Sequence, residues 1–113
     1  MHQDKQPKAV LDCHNVLLYV IPQLDKFPRN RRFTLGDKIE KTLLTILEAL
    51  VDAAFSAQKR ASLTLANRKL EVLRHLWRLA FELKAIAMKA YEHGARLFNE
   101  LGAQVGGWLK SAK

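Results

Sequence analysis

The sequence predicts an all-α chain folded as an up-down four-helix bundle, and three observations carry that expectation. Between Gly36 and Gly94 there is neither glycine nor proline, which suits long helices and leaves little for hairpins. Apolar residues recur at spacings of three and four along most of the chain, the period of a helix with one buried face. No stretch combines sustained alternation of apolar and polar residues with turn dipeptides, the pattern of a half-buried strand.

The first helix is expected from about Ala9 to Phe27. Cys13, Leu17, Val20, Leu24 and Phe27 fall on one face, widened by Val10 and Ile21. Pro22 lacks an amide hydrogen, so a kink is expected there. Phe27-Pro28 ends the helix because a residue before proline resists the α region. For the second helix, Thr34 reads as the cap, with Asp37 three residues later at the positive end. Ile39, Leu43, Ile46, Leu50, Ala53 and Ala57 form its main stripe, and Leu44, Leu47, Val51 and Phe55 run beside it.

The third helix is expected between about Ser62 and Ala87, with Val72, Leu76, Leu79, Leu83 and Ile86 in heptad-like rhythm. Leu70, Leu73, Trp77 and Ala80 run alongside. The fourth carries Tyr91, Gly94, Phe98, Leu101, Val105 and Trp108. Ala85 to Tyr91 contains no breaker, so pattern alone leaves open a turn there or one long helix. Four segments of this length would each span roughly 30 Å, the geometry of a four-helix bundle. The stripes are wider than a two-residue-per-heptad seam, a width that is also normal for one bundle but that favours self-association. Residues 9–110 are therefore read as one bundle domain, with residues 1–8 as a flexible N-terminus and 111–113 as a tail.

With 113 residues the chain is the size of one domain, and 49% hydrophobic against 27% charged residues is an ordinary globular balance. One cysteine, Cys13, allows neither an intrachain disulfide nor a thiolate metal cluster. The polar N-terminus is no signal peptide, and no apolar stretch approaches the ~20 residues of a membrane span. A cytoplasmic protein without a membrane partner is the expectation.

The net charge of +8 is unevenly spread. Residues 26–32 carry a net +4 from Lys26, Arg29, Arg31 and Arg32, with no acid, and residues 59–88 carry a net +5. The candidate polyanion contacts are Arg29, Arg31 and Arg32 before the second helix, and Lys59, Arg60, Arg68, Lys69, Arg74 and Arg78 on the third. Arg74 and Arg78 are four apart, where like charges repel unless neutralised. Arginine offers paired planar donors to phosphate oxygens, and such binding weakens with salt. The alternative is a solvated surface whose arginines pair with acids of other helices.

Catalytic and metal sites find little support. His2, His14, His75 and His93 lack metal-ligand spacing, and Cys13 and His14 point in different directions on a helix. Cys13 lies on the apolar stripe, where a thiol is inert. Glu71 and His75 are four apart but have no third group. The glycines at 102, 106 and 107 follow a helical stripe, not a strand, so they are no phosphate loop. They allow close helix approach if Trp108 and Leu109 are buried, and fraying otherwise. A carboxylate-bridged metal bundle would need inward Glu with Glu-x-x-His, and that motif is missing. No enzyme activity, cofactor or metal is expected.

Three words of the sequence carry a resemblance. Phe27-Pro-Arg-Asn-Arg-Arg-Phe-Thr-Leu-Gly-Asp-Lys-Ile39, Lys69-Leu-Glu-Val-Leu-Arg74 and Gly106-Gly-Trp-Leu-Lys-Ser111 closely resemble the accessory variability determinant (Avd) proteins of diversity-generating retroelements. Their wider relatives are four-helix bundle proteins encoded in intervening sequences of bacterial 23S rRNA genes. The likeness spans about Val16 to Ser111. It implies a basic pentameric barrel that binds the element's reverse transcriptase and RNA or DNA during mutagenic copying of template RNA, without being the polymerase. It also implies a turn between the third and fourth helices near Met88, although Ala85 to Ala90 is more apolar here than in those relatives. The alternative reading of the same fold is a structural bundle of the rRNA-gene type with no polymerase partner.

Overall fold

The computed structural model describes residues 7–112; within them the protein is all helix. Four long helices are present: α1 (Lys8–Asp25), α3 (Asp37–Phe55), α4 (Arg60–Glu82) and α5 (Met88–Ser111). A short α2 (Arg29–Arg31) and a π-helical turn (Arg32–Gly36) lead into α3. Residues 1–6 and 113, parts of the expected flexible ends, lie outside the described residues, whereas Lys8 already opens α1 and Ser111 closes α5. Short connections make successive long helices antiparallel. Each of α1 and α4 packs against both α3 and α5, giving a four-cornered bundle of 44 × 24 × 22 Å.

The buried faces follow the expected stripes on α1 and α5 and the main stripe on α3, whose second stripe leaves Leu44 and Phe55 exposed. Cys13, Val20, Ile39, Leu43, Ile46, Leu50, Phe98, Leu101 and Val105 are all buried. Burial pushes the Cys13 thiol up to about 12 from an ordinary value of 9.0, so at neutral pH it is a protonated packing group. Ala57 lies past the end of α3 and is exposed. On α4 the two stripes divide: Leu70, Leu73, Trp77 and Ala80 are buried, while Val72, Leu79 and Leu83 stay exposed. α1 runs unbroken through Pro22. Pro22 and Leu18 are both exposed, so the bond lost at the Leu18 carbonyl lies on the solvent side.

Thr34 is not the cap of the second long helix. Pro28, with φ −53° and ψ 146°, sets the helical entry, and its carbonyl accepts from the amides of Arg31 at 2.8 Å and Arg32 at 3.0 Å. The Thr34 hydroxyl instead donates to the Asn30 and Arg31 carbonyls at 3.5 and 3.4 Å. The π-turn has a plain cause. Arg32 lies seven residues before Ile39 and eleven before Leu43, both fully buried, and an uninterrupted α-helix would carry it onto that buried stripe. The wider turn rotates it outward, where it reaches Asp25 at 3.3 Å, while Gly36 closes against Phe27.

The turn between α4 and α5 has a Schellman geometry with no glycine. Lys84 takes φ +65°, its amide donates to Phe81 at 2.9 Å, and the Ala85 amide donates to Ala80 at 2.8 Å. Ala85 and Ala80 are both buried, the apolar contact this motif carries. The left-handed residue is a lysine, so composition gave no sign of the stop. Lys84→Gly should stabilise the protein by about 0.5–1 kcal/mol, as relief of left-handed strain outweighs the added freedom of the unfolded chain. Urea unfolding followed by circular dichroism would measure it; an unchanged or lowered midpoint would mean that the turn is unstrained.

Candidate nucleic-acid interface

The nine basic residues singled out by the sequence divide into three environments. Arg29, Arg31 and Arg32 stand on α2 and the π-turn, with Arg29 and Arg32 exposed and Arg31 half-buried. Residues 26–36 contain four cations and no acid. Asp25 supplies the carboxylate that Arg32 reaches, in an exposed pair of small energetic weight.

Two of the nine are engaged at helix ends. The Lys59 ammonium donates to the Ala53 and Ser56 carbonyls at 2.7 and 2.8 Å, covering the C-terminal end of α3 where the backbone leaves unpaired acceptors. Arg60 donates to the Ala112 carbonyl at 3.3 Å, beyond the end of α5. Both side chains hold adjacent helices at the same end of the bundle.

The remaining four lie along α4. Arg68 is exposed and Lys69 half-buried; neither has an ion pair among the described residues. Arg78 pairs with Glu82 at 3.1 Å on the exposed surface. Arg74 is different: it pairs with Glu71, reaches the Phe98 carbonyl at 3.5 Å and lies against α5 where Gly102 has no side chain. Its Nε is buried without a partner among the described residues. Arg74 is thus committed to the α4–α5 contact. The repulsion expected between Arg74 and Arg78 is relieved because each carries its own carboxylate.

These residues do not form one patch. α4 runs antiparallel to α3, so Arg78 shares an end of the bundle with Arg29, Arg31 and Arg32, while Lys59 and Arg60 occupy the other. Arg60 and Arg78 are about 27 Å apart along the helix axis, at 1.5 Å per residue.

Two features escaped sequence reasoning. Phe33 is 65% exposed in the middle of the basic segment, with the Arg32 guanidinium 5.3 Å from its ring centre. Its signal was an aromatic residue following paired arginines. A groove of about 700 Å³ between α1 and α5 is lined by Tyr19, Gln23, Lys89, His93 and Arg96, among others. Arg96 and His93 lie 3.2 Å apart, and the Tyr19 and His93 rings meet edge to face at 4.5 Å. The three-residue spacing of His93 and Arg96 was the available cue. Glu92 shares that groove, which weakens its positive field.

Among the described residues, no helix is long and apolar enough to cross a membrane. Of the late glycines, Gly102 sits under Arg74, whereas a side chain at Gly106 or Gly107 would meet nothing within 4 Å. Close approach therefore explains only the first. A family model described as bAvd-like matches residues 9–112, nearly the whole described chain. A search of curated proteins finds no match.

Proposed function

The chain belongs to the bAvd-like family, and from that premise we propose that it is the non-enzymatic accessory protein of a diversity-generating retroelement. In this role it is a basic, homo-oligomeric scaffold that brings the reverse transcriptase together with template RNA or cDNA. The observation that carries the reading is the acid-free basic run of residues 26–36, in which Lys26, Arg29 and Arg32 are exposed and Arg31 is half-buried. Such a run attracts phosphates without requiring a particular base sequence.

Apolar surface supports the oligomeric part of the proposal. Leu65, Val72, Leu79 and Leu83 leave one exposed strip along α4. Leu11 and Leu18 on α1, with Leu44 and Phe55 on the adjacent α3, leave others; Phe55 is 89% exposed. Two different apolar surfaces on one protomer suit head-to-tail contacts, which close into a ring when the rotation permits, and the proposed ring has five subunits. Val72→Glu with Leu79→Glu should reduce the assembly to smaller species while the helical spectrum is kept, because neither side chain is in the bundle core. Light scattering after size exclusion reads the mass; an unchanged mass would remove the α4 strip from the interface.

The polymerase partnership has its own test. Co-expression with the reverse transcriptase of the same element should yield a complex that survives purification. Recovery of the two proteins separately, at low salt and with template RNA present, would contradict the proposal.

A further inference from the structure

Resting on this nucleic-acid reading of residues 26–36, we propose that Phe33 is a stacking platform for an unpaired base, making this end of the bundle selective for single-stranded nucleic acid over duplex. A buried role does not account for the ring. Phe27, Trp77 and Phe98 are buried, yet Phe33 is 65% exposed. Its neighbours in the turn are Arg32 and Thr34, and the following residues of α3 are Asp37 and Lys38, both exposed.

The surroundings supply what a nucleotide needs. The Arg32 guanidinium lies 5.3 Å from the ring centre, and Arg29 is exposed on the preceding turn, so phosphate donors flank an aromatic face. Aromatic stacking joined to a positive backbone track is the general solution for single strands, because every base has a π-face. In a duplex those faces are already stacked on neighbouring bases, and only the phosphates remain for the arginines. Within the π-turn Arg32 and Phe33 stand side by side, both exposed.

The test uses fluorescence anisotropy with a labelled oligouridylate and a labelled duplex of equal length, compared at matched salt concentrations from low to physiological. Phe33→Ala should weaken single-strand binding by about 5- to 100-fold and leave duplex binding within about twofold. The salt dependence should not change, since no charge is removed. Phe33→Trp should keep the single-strand affinity. Equal loss on both ligands, or no loss on either, would overturn the stacking role. A changed oligomeric mass for Phe33→Ala would also overturn it, by assigning the ring to a contact with a second copy. If the unaltered protein binds neither ligand even at low salt, the nucleic-acid reading itself fails.

Discussion

Trp77→Ala should lower the folding free energy by about 3–5 kcal/mol, a large share of what a domain of this size possesses. Trp77 is 1% exposed and the largest fully buried side chain. It also joins α4 to α5. Its indole N–H donates to the Tyr91 carbonyl at 3.0 Å, and its ring meets Phe98 edge to face at 5.4 Å. Alanine would leave a cavity between α4 and α5 and a carbonyl without its donor.

The same contact explains Gly94. A Cβ there would lie 2.6–2.7 Å from the Trp77 ring, a rigid and buried neighbour. Gly94→Ala should therefore destabilise by about 1–3 kcal/mol, despite alanine's higher helix propensity. In a Trp77→Ala background the added methyl enters a cavity, so its effect should fall to zero or turn favourable. Urea unfolding of the four proteins by circular dichroism tests this coupling. Additive losses would mean that Gly94 and Trp77 do not constrain each other.

The second large effect concerns function. Arg29→Glu with Arg31→Glu and Arg32→Glu should weaken nucleic-acid binding by about a hundredfold or more near physiological salt. The melting temperature should move little. Arg29 and Arg32 are exposed and Arg31 half-buried, the one ion pair lost is exposed, and acids near the start of a helix suit its positive end. Arg74→Glu serves as the contrast. It would set a carboxylate beside Glu71 and the Phe98 carbonyl, so its main effect should be on stability. Binding by the triple variant that matches the unaltered protein would remove residues 29–32 from the interface.

The helices were legible because burial leaves a periodic trace. The stripes on α1 and α5 and the main stripe on α3 map onto the core, and the bundle follows from four such stripes joined by short connections. What stayed hidden was hidden for physical reasons. On α4 two apolar stripes of similar strength run side by side, and only packing against α3 and α5 determines that Leu70, Leu73 and Trp77 go inward. The π-turn has no composition of its own; it changes the register that would set Arg32 in line with the buried stripe. The stop after Glu82 depends on a lysine in a conformation usually given to glycine.

The candidate site was legible as charge and not as geometry. Lys59 and Arg60 resemble any other surface cations in sequence, yet both bind helix-end carbonyls. Arg74 resembles a phosphate contact until Gly102, 28 residues later, is seen to make room for it. Long-range pairing leaves no local mark. Phe33 was visible as a letter, but an aromatic residue in a helical segment does not show in sequence whether it is buried or exposed.

The most direct test of a basic scaffold is a salt titration of the unaltered protein binding a labelled structured RNA and a matched DNA duplex. The account predicts that affinity falls steeply and log-linearly with salt, with a slope corresponding to several neutralised phosphates. No binding at low salt, or binding that ignores salt, would contradict it.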